Sequence, residues 1–188
     1  MSFHLGSLRI GVGYAAAAAL TAALLLDREG RITCCLLAAV LHELGHLLML
    51  LCFRVRVRGI ALRLFEVCIE ADRPDTLAGD VWVTLGGPLM NLLLAAAFLP
   101  IDRTFCCANL ALGAFNLLPV MTLDGGRLLR LMLCRRLRER TAERVMKTVT
   151  FLIALPLMTA GIFVLLRSGY NYSLLIVSLY LMAVLFLK

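Results

Sequence analysis

Six apolar runs separated by short polar segments organise the chain, at residues 10–26, 32–53, 81–99, 105–123, 149–166 and 172–187. A helix needs about 20 apolar residues to cross a hydrocarbon core of about 30 Å, so each run predicts a membrane-spanning helix. Two segments carry other periods. Residues 54–58 read Arg, Val, Arg, Val, Arg, the alternation of a half-buried strand. Ile60, Leu62 and Leu64 continue that apolar face, then the phase shifts to Val67 and Ile69. A turn or bulge near Phe65 follows, and with it a β-hairpin over residues 54–70. Residues 128–147 carry Leu129, Leu133 and Leu137 among basic residues, which predicts a basic helix on the membrane surface. The expected fold class is an α-helical polytopic membrane protein of six transmembrane helices, with a small membrane-associated hairpin after the second.

Composition agrees with this pattern. Of 188 residues, 62% are hydrophobic and the mean hydropathy is +0.93, values outside the range of soluble domains. Six spans leave no room for a separate soluble domain, so residues 1–188 are expected to form one intramembrane domain. The net charge of +7 could suggest a nucleic-acid partner. The basic residues lie between apolar runs, however, where they set orientation and meet anionic lipid. With six spans, 15 basic residues fall on the side of the termini and four on the other. The bias puts both termini, the hairpin and the basic helix in the cytoplasm. The first run is long enough to remain as a span rather than a cleaved leader, and Asp27-Arg28-Glu29 closes it. Seven cysteines include no CxxC pair and read as small buried thiols.

The chemistry lies in the second run, at His42-Glu43-Leu44-Gly45-His46. Helical spacing puts His42 and His46 one turn apart on one face, where both imidazoles can reach one metal ion. Glu43 stands beside them as a general base. Acidic and imidazole groups at bilayer depth are costly and mark function. A catalytic zinc takes three protein ligands, and His4 lies before the first span. Asp124 is the favoured third ligand. His46 and Asp124 each lie near the cytoplasmic end of a span running inward, and Gly125 and Gly126 let the backbone approach. Glu66, Glu70, Asp72 and Cys52 are the weaker choices. Gly86-Gly87-Pro88 and Asn91 in the third run, and Asn116 with Pro119 in the fourth, place helix breaks and amides beside a polar cavity. Either Asn91 or Asn116 could donate to an oxyanion. Arg54, Val55, Arg56 and Val57 could offer a strand edge to an extended substrate.

The motifs His42-Glu43-Leu44-Gly45-His46, Gly87-Pro88-Leu89-Met90-Asn91 and Asn116-Leu117-Leu118-Pro119 leading to Leu123-Asp124-Gly125-Gly126-Arg127 occur in that order. Together they resemble the site-2 proteases, intramembrane zinc metalloproteases, and most of all the six-span sporulation type (stage IV sporulation protein FB-like). The resemblance implies Zn2+ held by His42, His46 and Asp124, Glu43 as base, and Asn91 near the substrate or active site. It also implies a membrane-embedded protein substrate of the pro-sigma or anti-sigma factor type, with a regulatory membrane protein or a second copy as further partners. Thr122 stands where that type usually has proline. Neither its nucleotide-sensing CBS domain nor a PDZ-like insertion is expected in this chain. The rival class is a divalent metal-ion transporter using His42 and His46, which would need further ligands across the membrane.

Overall fold

The computed structural model describes residues 2–5, 8–62, 67–72, 74–169 and 172–187. They form two compact units, Met1–Ala114 and Phe115–Lys188. The division falls between Ala114 and Phe115, in the last turn of the fourth helix.

The first unit begins with strands β1 (Ser2–Leu5) and β2 (Leu8–Val12) and helix α1 (Tyr14–Leu26). This corrects the first predicted span. Gly11 and Gly13 disfavour helix at the start of the run, and residues 8–12 pair as strand instead. The remaining 13-residue helix is about 20 Å long, short of a bilayer core. Helix α2 (Arg31–Cys52) follows, started by a side chain outside it. Asp27 accepts from the backbone N–H of Ile32 at 3.2 Å and of Thr33 at 2.7 Å, and from the Thr33 hydroxyl at 2.6 Å. These are two of the amides that a helix start leaves without intrahelical partners.

Strands β3 (Val57–Leu62) and β4 (Val67–Ala71) form the expected hairpin, but in a larger sheet of order β1-β2-β3-β4. β1–β2 and β3–β4 are antiparallel, and β2–β3 is parallel with Arg9 opposite Gly59 and Val12 opposite Leu62. The expected turn at Phe65, and Glu66 with it, lie outside the described residues. Helix α3 (Leu77–Phe98) starts four residues before the apolar run, capped by the Thr76 hydroxyl on Gly79 N–H at 3.1 Å. It runs straight through Pro88. Helix α4 (Arg103–Asn116) is capped by Asp102 through Thr104 and Phe105 N–H.

The fourth apolar run stops being helical at Asn116. Turns carry residues 117–123 through Pro119, whose ring removes a backbone donor. In the second unit, helix α5 (Asp124–Cys134) starts at the Asp-Gly-Gly sequence. The expected basic helix over 128–147 is split: α5 ends at Cys134, and α6 (Glu139–Ser168) joins the second basic half to the fifth run in one 30-residue helix. Gly169, at φ 74°, closes α6 in the left-handed conformation that glycine adopts without strain. Helix α7 (Ser173–Leu187) packs on α6, and Val120, Ala154 and Leu181 form the buried centre of this unit.

Among the described residues three helices, Arg31–Cys52, Leu77–Phe98 and Glu139–Ser168, are long and apolar enough to cross a membrane. Leu25, Leu93, Leu166 and Ile176 are among many large apolar side chains left exposed. Such faces belong in hydrocarbon rather than water, and the chain is a polytopic membrane protein.

Hydrogen bonding from Thr33 and Ile32 holds the Asp27 carboxyl below its ordinary value of 3.8. A depressed carboxylate stabilises the fold above 3.8 and loses that contribution as pH falls through its folded value. Asp27→Ala should speed amide exchange at Ile32 and Thr33 at pH 7. The gap between variant and parent should close as the pH falls below 3.8; a gap that persists in acid would mean the carboxylate charge is irrelevant.

Candidate metal centre

Gly45 of α2 and Gly86 of α3 let two backbones meet. A Cβ on Gly86 would sit 2.6 Å from the Gly45 carbonyl oxygen, and one on Gly45 would strike Gly86 O harder still. The helices run antiparallel here, because His42 lies opposite Asn91 while His46 lies opposite Val83. Val83, Gly87 and Asn91 are four residues apart and form one stripe on α3.

That stripe orients both imidazoles. Nδ1 of His46 is 2.7 Å from Val83 O, and a carbonyl only accepts, so this nitrogen carries the proton. The same nitrogen is 3.3 Å from Gly87 N, a longer contact demanding the opposite role; the shorter contact decides. Nδ1 of His42 donates to Asn91 Oδ1 at 2.5 Å. Each ring therefore presents an unprotonated Nε2. These two nitrogens stand 3.2 Å apart with the rings at 83°. Two imidazoles on one tetrahedral zinc, each about 2.0–2.1 Å from it, would have nitrogens about 3.3 Å apart. The observed spacing of the two nitrogens therefore fits a shared metal ion.

Gly87 completes the cradle, and sequence reasoning read it only as a helix breaker. A Cβ there would lie 2.6 Å from His42 Nε2 and closer still to His46 Nε2. Only hydrogen leaves both lone pairs accessible. The signal was present in the Gly-Gly pair, but only the helix crossing shows which glycine faces the histidines.

The other expected site residues are distributed as follows. Glu43 is half-buried on α2, next to His42. Asn91 is fully buried, its carbonyl on His42 and its NH2 on Ala38 O and Asn109 Oδ1. In this arrangement it orients His42. Asn116 ends α4, and Asp124 is the first residue of α5; both are half-buried and belong to the second unit. There, a Cβ on Gly126 would run into Val120 O and one on Gly125 into Leu117 O. The two glycines thus fold the start of α5 onto the turn before it. Met121 N–H donates to the buried Thr150 hydroxyl at 3.0 Å and ties that turn to α6.

The expected substrate edge at Arg54, Val55, Arg56 and Val57 is corrected. Arg54 adopts φ 54° and ends the helix, Val55 N–H bonds back to Leu50 O, and β3 begins only at Val57. From Gly59 onward β3 has β2 on one side and β4 on the other. The alternation was real, but it continued past the helix end before pairing began.

With this geometry in place, similarity to known proteins is informative. Residues 101–158 match Peptidase family M50. The chain is 30% identical over 134 residues to stage IV sporulation protein FB of Bacillus subtilis, covering 65% of this chain and 46% of that protein. It is 26% identical over 156 residues to a zinc metalloprotease of Methanocaldococcus jannaschii, covering 76% and 44%. The chain thus spans less than half the length of these curated relatives. The solved structure of the site-2 protease from Methanocaldococcus jannaschii superposes with a TM-score of 0.70 at 22% identity, over 96% of this chain and 92% of that one. That likeness is one of fold, and it agrees with the resemblance the M50-type motifs carry in the sequence.

Gly87→Ala should cut bound zinc per chain severalfold. Gly11→Ala, whose added Cβ would meet only Ala61 Cβ at 3.8 Å, should leave it unchanged. Equal zinc content in the two purified variants would show that Gly87 does not border the metal.

Proposed function

We propose that the chain is an intramembrane zinc metalloendopeptidase that cuts a membrane-associated protein near the cytoplasmic face. The observation that carries this reading is the pair of Nε2 atoms at 3.2 Å, each set by a hydrogen bond at Nδ1 and facing a glycine. His42 and His46 are two of the ligands. Asp124 is the third in this reading. Its support is the family resemblance and the need for a third donor in a chain whose other histidine, His4, belongs to β1.

Zinc bound there supplies Lewis acidity toward the scissile carbonyl and makes a water acidic enough to attack at neutral pH. Glu43 takes the water's proton and passes it to the leaving amine nitrogen. The NH2 of Asn91 is engaged with Ala38 O and Asn109 Oδ1, which makes Asn91 an unsuitable oxyanion donor. A cytoplasmic placement of the hairpin and of the basic stretch 127–147 is supported by the excess of arginines in those two segments. A substrate of the pro-sigma or anti-sigma factor type is the reading that similarity to the sporulation protein supports.

Glu43→Gln should retain zinc and lose cleavage of a coexpressed membrane-tethered transcription factor by a factor of at least about 100. Cleavage at the parental rate with zinc bound would end the protease mechanism, and zinc uptake by cells would favour a transporter. Asp124→Ala should lose most of its zinc, since two histidines hold the metal far more weakly than three ligands. One zinc per chain in that variant would remove Asp124 from the ligand set. For orientation, a cysteine placed at Arg138 on a cysteine-free background should resist an impermeant thiol reagent added outside the cell. Ready labelling would invert the topology.

A further inference from the structure

Three helices of the first unit meet in a chain of buried amides. The Asn91 oxygen accepts a hydrogen bond from His42 Nδ1–H at 2.5 Å, while Nδ2 donates to Ala38 O at 3.2 Å and to Asn109 Oδ1 at 2.9 Å. Asn109 in turn donates from Nδ2 to Phe105 O at 2.9 Å. Asn91 and Asn109 are both 0% exposed, and His42 is 4% exposed. Each side-chain nitrogen and oxygen of the two asparagines has a partner of the right kind.

The direction of this chain is forced. Phe105 O accepts only, so the Asn109 NH2 must face it and the Asn109 oxygen must face Asn91. Ala38 O also accepts only. Two acceptors, Ala38 O and Asn109 Oδ1, thus meet the same end of the Asn91 side chain, and that end must be the NH2. The Asn91 oxygen is left for His42, whose Nδ1 must then be the protonated nitrogen. Turning Asn91 over would oppose oxygens at two buried positions, each costing about 1–3 kcal/mol for an unsatisfied group.

We infer that Asn109, on α4, is a positioning residue: through Asn91 it holds His42 in the Nδ1–H tautomer with Nε2 presented to the metal. Neutral amides do here what a carboxylate often does for metal-bound histidines, and they add no further charge to a buried site at membrane depth. A polar contact that merely joined helices would need no particular direction. The consequence for metal binding rests on His42 being a ligand, as proposed above. The tautomer does not, which separates failure of one from failure of the other.

The test uses full-length protein labelled with 15N-histidine, and zinc competition against a chelator. In metal-free parent protein, the His42 nitrogens should read as Nδ1–H with bare Nε2. Asn91→Leu should shift the ring toward Nε2–H and weaken zinc binding about 10- to 100-fold. Asn109→Leu should do the same to a smaller degree, severalfold in affinity. Asn109→Asp should restore parental behaviour, because a buried neutral carboxylic acid can accept from Asn91 and donate to Phe105 O. Ser178→Ala, which removes a buried hydroxyl hydrogen bond in α7, controls for general loss of stability. Nε2–H in the parent, or parental zinc affinity in both leucine variants, would overturn the inference. Failure of the parent to bind zinc with the Nδ1–H tautomer intact would instead count against the zinc protease.

Discussion

Close approach of α2 and α3 is the constraint on which the first unit depends. Gly45 and Gly86 have no side chains, so the backbones touch where any Cβ would collide with a carbonyl oxygen. In hydrocarbon there is no hydrophobic force pushing helices together, and small residues let dispersion and polar contacts act at short range. A helix pair held further apart would leave Val83 O and Asn91 Oδ1 out of reach of the two imidazoles. Both rings would then be free to rotate and to exchange tautomers. The glycines thus belong to the metal chemistry even though they bind nothing.

The same crossing explains why a costly set of groups persists within an apolar helix. His42 is buried with its Nδ1 satisfied, and no buried side-chain polar atom among the described residues lacks a partner. Low dielectric makes an unpaired polar group expensive and a paired one strong. It therefore favours one arrangement of donors over the rest. The hydrogen bonds that set His42 thus reach beyond α2, to Asn91 on α3 and Asn109 on α4.

The second unit obeys a different rule. Asp124 is not placed by helical period but by a sharp reversal. Pro119 lacks the N–H that a continuing helix would need, and Gly125 and Gly126 let α5 start directly against the turn. The Thr150 hydroxyl holds that turn through Met121 N–H. In both units glycine marks the places where backbone must come within contact distance of something else.

The sequence alone determined what depends on local spacing. Histidines four apart in an apolar helix must share a face, and alternation after the second run does become β-structure at Val57–Leu62. The three ordered motifs were enough to point to the M50-type fold. Tertiary structure decided what depends on residues far apart in the chain. Residues 8–12 became a strand because β3 was there to pair with them in parallel, a partner 50 residues away that no local period reveals. The same pairing covered β3. Asn91 was legible as a polar group near the site, but its task was not. Only the α2–α3 crossing brings its oxygen to His42, and only Ala38 O and Asn109 determine which end of the amide points there. Hydrogen-bond direction is a property of the packed interior, where each group must find its complement, and a linear sequence does not contain it.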